Sequence, residues 1–104
     1  MHPNLNEMTE ATELVNAATG IIFFKIGHFC YEIGFYMDAQ VNLIKSLEYF
    51  NLLNDPYKLK FFNLFQETFN CLGIMEYNEE NNDKSIPYLM KAVEIYKLIS
   101  ETLN

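Results

Sequence analysis

His28 stands one turn ahead of Tyr31 and Glu32, a spacing in which a carboxylate could orient an imidazole for proton transfer. No nucleophile, neighbouring second histidine or glycine-rich phosphate loop accompanies it, so a groove-lining or partly buried imidazole is the simpler reading. His2, the other histidine, falls in a polar N-terminal stretch expected to fray. Glu79, Glu80, Asn81, Asn82 and Asp83 gather enough oxygen to suggest Ca²⁺. The alternation and the glycine of an EF-hand loop are both missing, which leaves a solvated helix–helix connection. Cys30 and Cys71 sit inside apolar segments, with no arginine or helix N-terminus beside them to lower a thiol pKa. They read as small hydrophobes of a reduced protein. No metal, cofactor or catalytic residue is therefore predicted.

Composition narrows the field further. The chain has 104 residues, 50% hydrophobic and 15% aromatic, enough for one packed domain and too apolar for a disordered tail. Net charge is −7 and all seven basic residues are lysine. Without arginine, the usual bidentate reader of phosphate and guanine, nucleic acid is an unsuitable partner. The longest apolar run, Gly20 to Phe24, is broken by Lys25, and the N-terminus is acidic and polar. Neither a membrane span nor a signal peptide is predicted, and the expected compartment is the cytoplasm.

What positions these residues is a repeat. Each residue compared with the one 46 further on gives Phe23 on Phe69, Ile26 on Leu72, Gly27 on Gly73 and Tyr31 on Tyr77. Ala39 falls on Ser85, Leu43 on Leu89, Lys45 on Lys91, Ser46 on Ala92 and Glu48 on Glu94. Two unrelated amphipathic helices could share the apolar phase. They would not also align both glycines with both sets of small residues, so the pattern is that of a stacked helical repeat. Apolar residues recur at three and four, as in Phe23, Ile26, Cys30 and Ile33. Gly34 is a helix stop, and Asp38 belongs to the first turn of the next helix. Asp55-Pro56 should start a third helix running to about Tyr77, and Asn82 should cap a fourth ahead of Asp83. Pro87 lies near that helix's start, where the missing N–H costs least.

Phe23-x2-Ile26-Gly27 followed by Gly34-x-Tyr36-x2-Ala39-x3-Leu43-x2-Ser46 resembles the tetratricopeptide pattern. The second copy, Phe69-x2-Leu72-Gly73 with Ser85-x3-Leu89-x2-Ala92, follows it less fully: Glu80 stands where the pattern has glycine and Asn82 where it has tyrosine. A different turn is expected there. The reading is all-α, one domain over 1–104, as two stacked hairpins of four antiparallel helices. Repeat one covers about 9–54 and repeat two about 55–102. Gly27 should mark a close crossing, with Ala39 and Ser46 opposite and Phe23, Ile26 and Leu43 filling the flanking holes. The unit is longer than the usual 34 residues. In this it is similar to repeats of the Rap-type peptide-sensing regulators of low-GC bacteria, in which a superhelix of such units binds a short peptide. Those regulators' N-terminal effector bundle has no counterpart in these residues, so their phosphatase or DNA-binding roles are not implied.

The resemblance implies a non-catalytic, regulatory protein- or peptide-binding module. First-of-pair helices line the concave face of such a stack, which puts Phe24, His28, Tyr31 and Glu32 in the groove, with Asn70, Ile74, Tyr77 and Asn78 from the second copy. Asparagines there can pair with an extended peptide backbone, and the rings can take its side chains. Two alternatives stand beside this reading: an obligate self-associating scaffold, and a small, phage-type inhibitor that mimics part of a larger repeat regulator. Two repeats leave Ile86, Leu89, Val93 and Tyr96 with no added helix to cover them, and Tyr49, Phe50, Leu52 and Leu53 offer more apolar surface than one neighbour can cover. A two-fold homodimer is therefore expected, with a cap folded back from Leu5–Val15 as the competing solution.

Overall fold

The computed structural model describes residues 5–103, of which 89% are helical and none is in a strand. Five helices follow one another: α1 Leu5–Glu32, α2 Tyr36–Asn51, α3 Asp55–Leu59, α4 Phe62–Asn78 and α5 Asn82–Leu103. α1 packs along α2 and α4 along α5, and α4 leans on both α1 and α2. The result is two hairpins side by side, with extents of 56 × 33 × 20 Å. His2 lies outside the described residues.

The repeat is visible in the packing. A methyl group on Gly27 would fall 2.8 Å from Leu43 Cγ and 2.9 Å from the Leu43 backbone nitrogen. On Gly73 it would fall 2.5 Å from a Leu89 methyl carbon, Cδ2, and 3.2 Å from the Leu89 nitrogen. Gly27–Leu43 and Gly73–Leu89 are therefore the same helix crossing made twice, 46 residues apart. A second crossing exists only in the first hairpin, where Gly20 accommodates the ring of Phe50, whose nearest carbon stands 2.7 Å from where a Cβ would be. Each hairpin adds one buried hydroxyl donating to a glycine carbonyl: Ser46 Oγ to Gly20 O at 2.9 Å, and Ser85 Oγ to Gly73 O at 2.8 Å. Ser46 thus pairs with Gly20 and not, as the pattern suggested, with Gly27.

The turns also match. Gly34 has φ 85° and Glu80, its partner in the repeat, has φ 63°. In the first, Gly34 N–H donates to Tyr31 O and Phe35 N–H to Cys30 O; in the second, Glu80 N–H donates to Tyr77 O and Asn81 N–H to Glu76 O. Both are Schellman closures, with a left-handed residue satisfying the last carbonyls. The different turn expected at Glu80 does not arise, because the hydrogen bonds hold glutamate in the conformation that glycine would adopt freely.

Three other expectations need correction. The third helix is broken: Asp55-Pro56 begins only the short α3, and tight three-residue hydrogen bonds from Lys60 and Phe61 separate it from α4. Ile26 is not a hole-filler, since the face of α1 buried against α2 is Ala17, Gly20, Phe24 and Gly27, leaving Ile26 outward. Leu5 to Val15 does not fold back as a cap. It extends α1, with Leu5, Met8, Leu14 and Val15 exposed. By length and composition α1 could cross a bilayer, with an 18-residue window of mean hydropathy 1.3. Its glycine face is committed to α2, and Glu13 is buried.

The core is continuous across the two hairpins. Leu43 and Phe24 cluster with Cys71, Leu72 and Met75 of α4. Phe50 stacks on Phe61 at 5.3 Å and meets Phe65 at 5.5 Å. Burying such side chains contributes about 1.5–3 kcal/mol each.

Candidate binding surface

The eight residues named from the sequence divide into two sets of four. Phe24, His28 and Tyr31 lie in the seam between α1 and α4, with Glu32 at its edge. Phe24 is 7% exposed, stacked 5.7 Å from His28, and is core rather than groove wall. His28 Nε2 sits 3.0 Å from Glu67 Oε1 on α4, and its Nδ1 is 3.3 Å from Glu32 Oε1. The imidazole is thus held between two carboxylates from different helices, a tie between hairpins. Tyr31 is half-buried beside Tyr36, and burial, with smaller contributions from Cys71 and Tyr36, holds its phenol above the ordinary value. At neutral pH it is an uncharged donor.

Asn70, Ile74, Tyr77 and Asn78 are the counterparts of those four in the repeat, and they lie open. Asn70 and Ile74 are half-buried, Tyr77 and Asn78 exposed, and Asn78 Nδ2 donates to Tyr36 Oη at 3.2 Å. Where α1 buries Phe24 against α4, α4 leaves Asn70 and Ile74 half-buried and Tyr77 exposed, with Asn78 tied to Tyr36 of α2. The eight residues therefore do not form one groove. Half of them are an internal seam, and half are the corresponding face of the second hairpin.

The same holds for the packing surface behind them. Between α4 and α5 lies a shallow depression of about 190 Å³ lined by Gln66, Asn70, Leu89, Ala92, Val93 and Tyr96. Their counterparts 46 residues earlier are Gly20, Phe24, Leu43, Ser46, Leu47 and Phe50. Five of those are buried and Leu47 is half-buried. In the first hairpin Leu43, Leu47 and Phe50 belong to clusters that α4 completes; in the second, Val93 and Tyr96 are bare.

Two buried carboxylates escaped the sequence reading. Glu13 accepts from the Asn54 N–H through both oxygens, at 3.2 and 3.3 Å, tying α1 to the start of α3. Glu76 accepts from Gln40 Nε2 of α2 at 3.3 Å and from Asn81 Nδ2 at 2.9 Å. Both are structural clamps, and neither has an acidic counterpart in the repeat that could have marked it. Cys71 is buried and its thiol is pushed up to about 11 by burial, then by Glu67 and Glu32, while Cys30 is half-buried. Among the described residues no three histidine, cysteine, aspartate or glutamate side chains converge as a metal centre would. Comparisons with protein-family models, curated proteins and solved structures give no match to this chain.

Proposed function

We propose that this protein is a non-catalytic binding module of the tetratricopeptide class, recognising a protein or peptide segment through the open face of its second hairpin. The observation that carries this reading is the repeat itself. The first hairpin already uses this surface to hold a helix, α4, and the second presents the counterpart residues uncovered. Tyr77 and Tyr96 supply ring area at low entropic cost, Asn70 and Asn78 supply donors and acceptors, and Ile74 and Val93 supply apolar contact. A role in the cytoplasm and in regulation fits the acidic charge, the free thiols and the likeness to peptide-sensing regulators.

The test is a comparative capture. Immobilised protein and a Tyr77→Ala/Tyr96→Ala variant are exposed to the same native lysate, and retained proteins are identified by mass spectrometry. A partner retained by the parent and lost from the helical variant supports this face as the site. Retention unchanged by the variant refutes it.

A further inference from the structure

We infer that the open face of the second hairpin takes the outer face of α1 from another copy of the same chain, so that copies join head to tail. This rests on the reading of that face as a binding surface and names its occupant. In the first hairpin the occupant is α4 with the turn before it: Phe61, Phe65, Cys71, Leu72 and Met75 share clusters with α1 and α2, and Thr68 is buried on the same helix. Phe65 and Cys71 have Thr19 and Lys25 as counterparts 46 residues earlier on α1; Phe61, Thr68, Leu72 and Met75 have Val15, Ile22, Ile26 and Phe29. These last four are apolar and all four point outward, at 62%, 57%, 45% and 60% exposure. α1 therefore carries a second apolar face with the register of α4's docking face, although α2 already occupies its glycine side.

The two open ends are complementary by construction. Leu43 meets Leu72 and Met75 within one chain; Leu89 of one copy would meet Ile26 and Phe29 of the next. Phe50 meets Phe61; Tyr96 would meet Val15. His28 faces Glu67 across the internal seam, whereas their counterparts Ile74 and Ile21 would form an apolar contact. Continuing the internal interface keeps these contacts apolar; the exception is Lys25, which stands where α4 has the buried Cys71 and must lay its stem along the seam with its ammonium in solvent. The continued interface buries exposed apolar groups on both partners, which supplies the driving force. A head-to-tail contact is heterologous, so it need not stop at two copies.

The alternative occupants are a two-fold partner that meets the same face with its own second hairpin, and a bilayer that receives the outer face of α1. A bilayer would have to accept Lys25, exposed between Ile22 and Ile26.

The experiment uses two double variants of exposed residues: a head variant, Ile22→Asp/Phe29→Asp, and a tail variant, Val93→Asp/Tyr96→Asp. Circular dichroism first establishes that each keeps the parent helicity; Phe29→Lys and Tyr96→Lys replace any that does not. Sedimentation of the parent over micromolar to near-millimolar concentration should show a mass rising past 12.2 kDa without a plateau at the dimer. Each variant alone should stay at 12.2 kDa, and an equimolar mixture should form a dimer and nothing larger, because one intact head and one intact tail remain. Three results would overturn the inference: a parent that stays monomeric throughout, a head variant that still dimerises, or a mixture that stays monomeric. A monomeric parent that cosediments with phosphatidylglycerol vesicles through Ile22 and Phe29 also overturns it, in favour of the bilayer. None of these results touches the capture experiment, which can still find a foreign protein on the tail face.

Discussion

Gly34 and Glu80, 46 residues apart, close the two hairpins with the same pair of hydrogen bonds and the same left-handed backbone, although only one of them is glycine. A side chain in that region costs about 1–2 kcal/mol. Glu80→Gly should therefore raise stability by about 1 kcal/mol despite the added freedom of the unfolded chain, and Gly34→Ala should lower it by a similar amount. Urea denaturation of the two variants checks the pair, and a loss of stability in Glu80→Gly would contradict the shared closure.

Gly27 and Gly73 should not respond alike to alanine. A methyl at Gly27 meets the Leu43 backbone nitrogen at 2.9 Å, which cannot yield without moving α2. At Gly73 the methyl meets Leu89 Cδ2 at 2.5 Å and Cγ at 2.6 Å, with the backbone nitrogen farther off at 3.2 Å, so most of the adjustment falls on the half-buried leucine side chain and less on α5. Gly27→Ala should cost about 1–3 kcal/mol and Gly73→Ala less, each partly offset by about 1 kcal/mol of helix propensity. Leucine at either site should destabilise strongly. Thermal melts that rank the two alanine variants in the opposite order would count against the crossing geometry.

Cys71 should resist alkylation. With its thiol moved from 9.0 to about 11, the thiolate fraction at pH 8 falls about a hundredfold, and burial adds a steric barrier. Iodoacetamide should label Cys30 well before Cys71 in the folded protein, and both together in urea. The sign for stability follows. An acid raised on folding ionises first in the unfolded chain, so the stability it permits is complete below pH 9 and declines as pH climbs toward 11.

Removing the buried hydroxyls should have matched effects. Ser46→Ala and Ser85→Ala each delete one hydrogen bond to a glycine carbonyl at a fully packed crossing, for about 1 kcal/mol apiece. The two sites lie in different hairpins, so the double variant should be close to additive. Equilibrium unfolding of the three variants measures this directly.

The repeat, the close crossings at Gly27 and Gly73 and the helical class were legible in the sequence because they rest on spacing, although Leu43 stands opposite Gly27 where Ala39 and Ser46 were expected. Faces were harder. α1 is apolar on two sides, so periodicity alone could not say that Phe24 turns inward while Ile26 turns outward. Only Gly20 and Ala17, small enough for a close approach to α2, distinguish the sides, and Gly20 has no glycine at its repeat position to draw attention to it. The break at Lys60–Phe61 carries no glycine or proline and falls where Phe61 stacks on Phe50, a contact between distant residues. Glu13 and Glu76 were invisible because their partners, a backbone N–H and two amide side chains, come from other elements. The eight residues named from the sequence are equivalent positions of the two copies. That one set would be occupied by the molecule's own second hairpin, and the other left open, depends on how the copies stack.

Chains built from similar helices risk pairing the wrong ones while they fold. The second crossing of the first hairpin guards against this. Phe50 of α2 needs a partner helix with nothing beyond a hydrogen at the facing position, and Gly20 meets that need. The corresponding residue of α4 is Gln66, whose side chain would occupy the space that the phenyl ring requires. Were α4 to reach α2 first, it could form the Leu43 crossing through Gly73 but not the one beyond it. α2 thus has a single helix that fits along its whole length, and at the Phe50 crossing discrimination between two helices of like pattern comes down to one missing side chain.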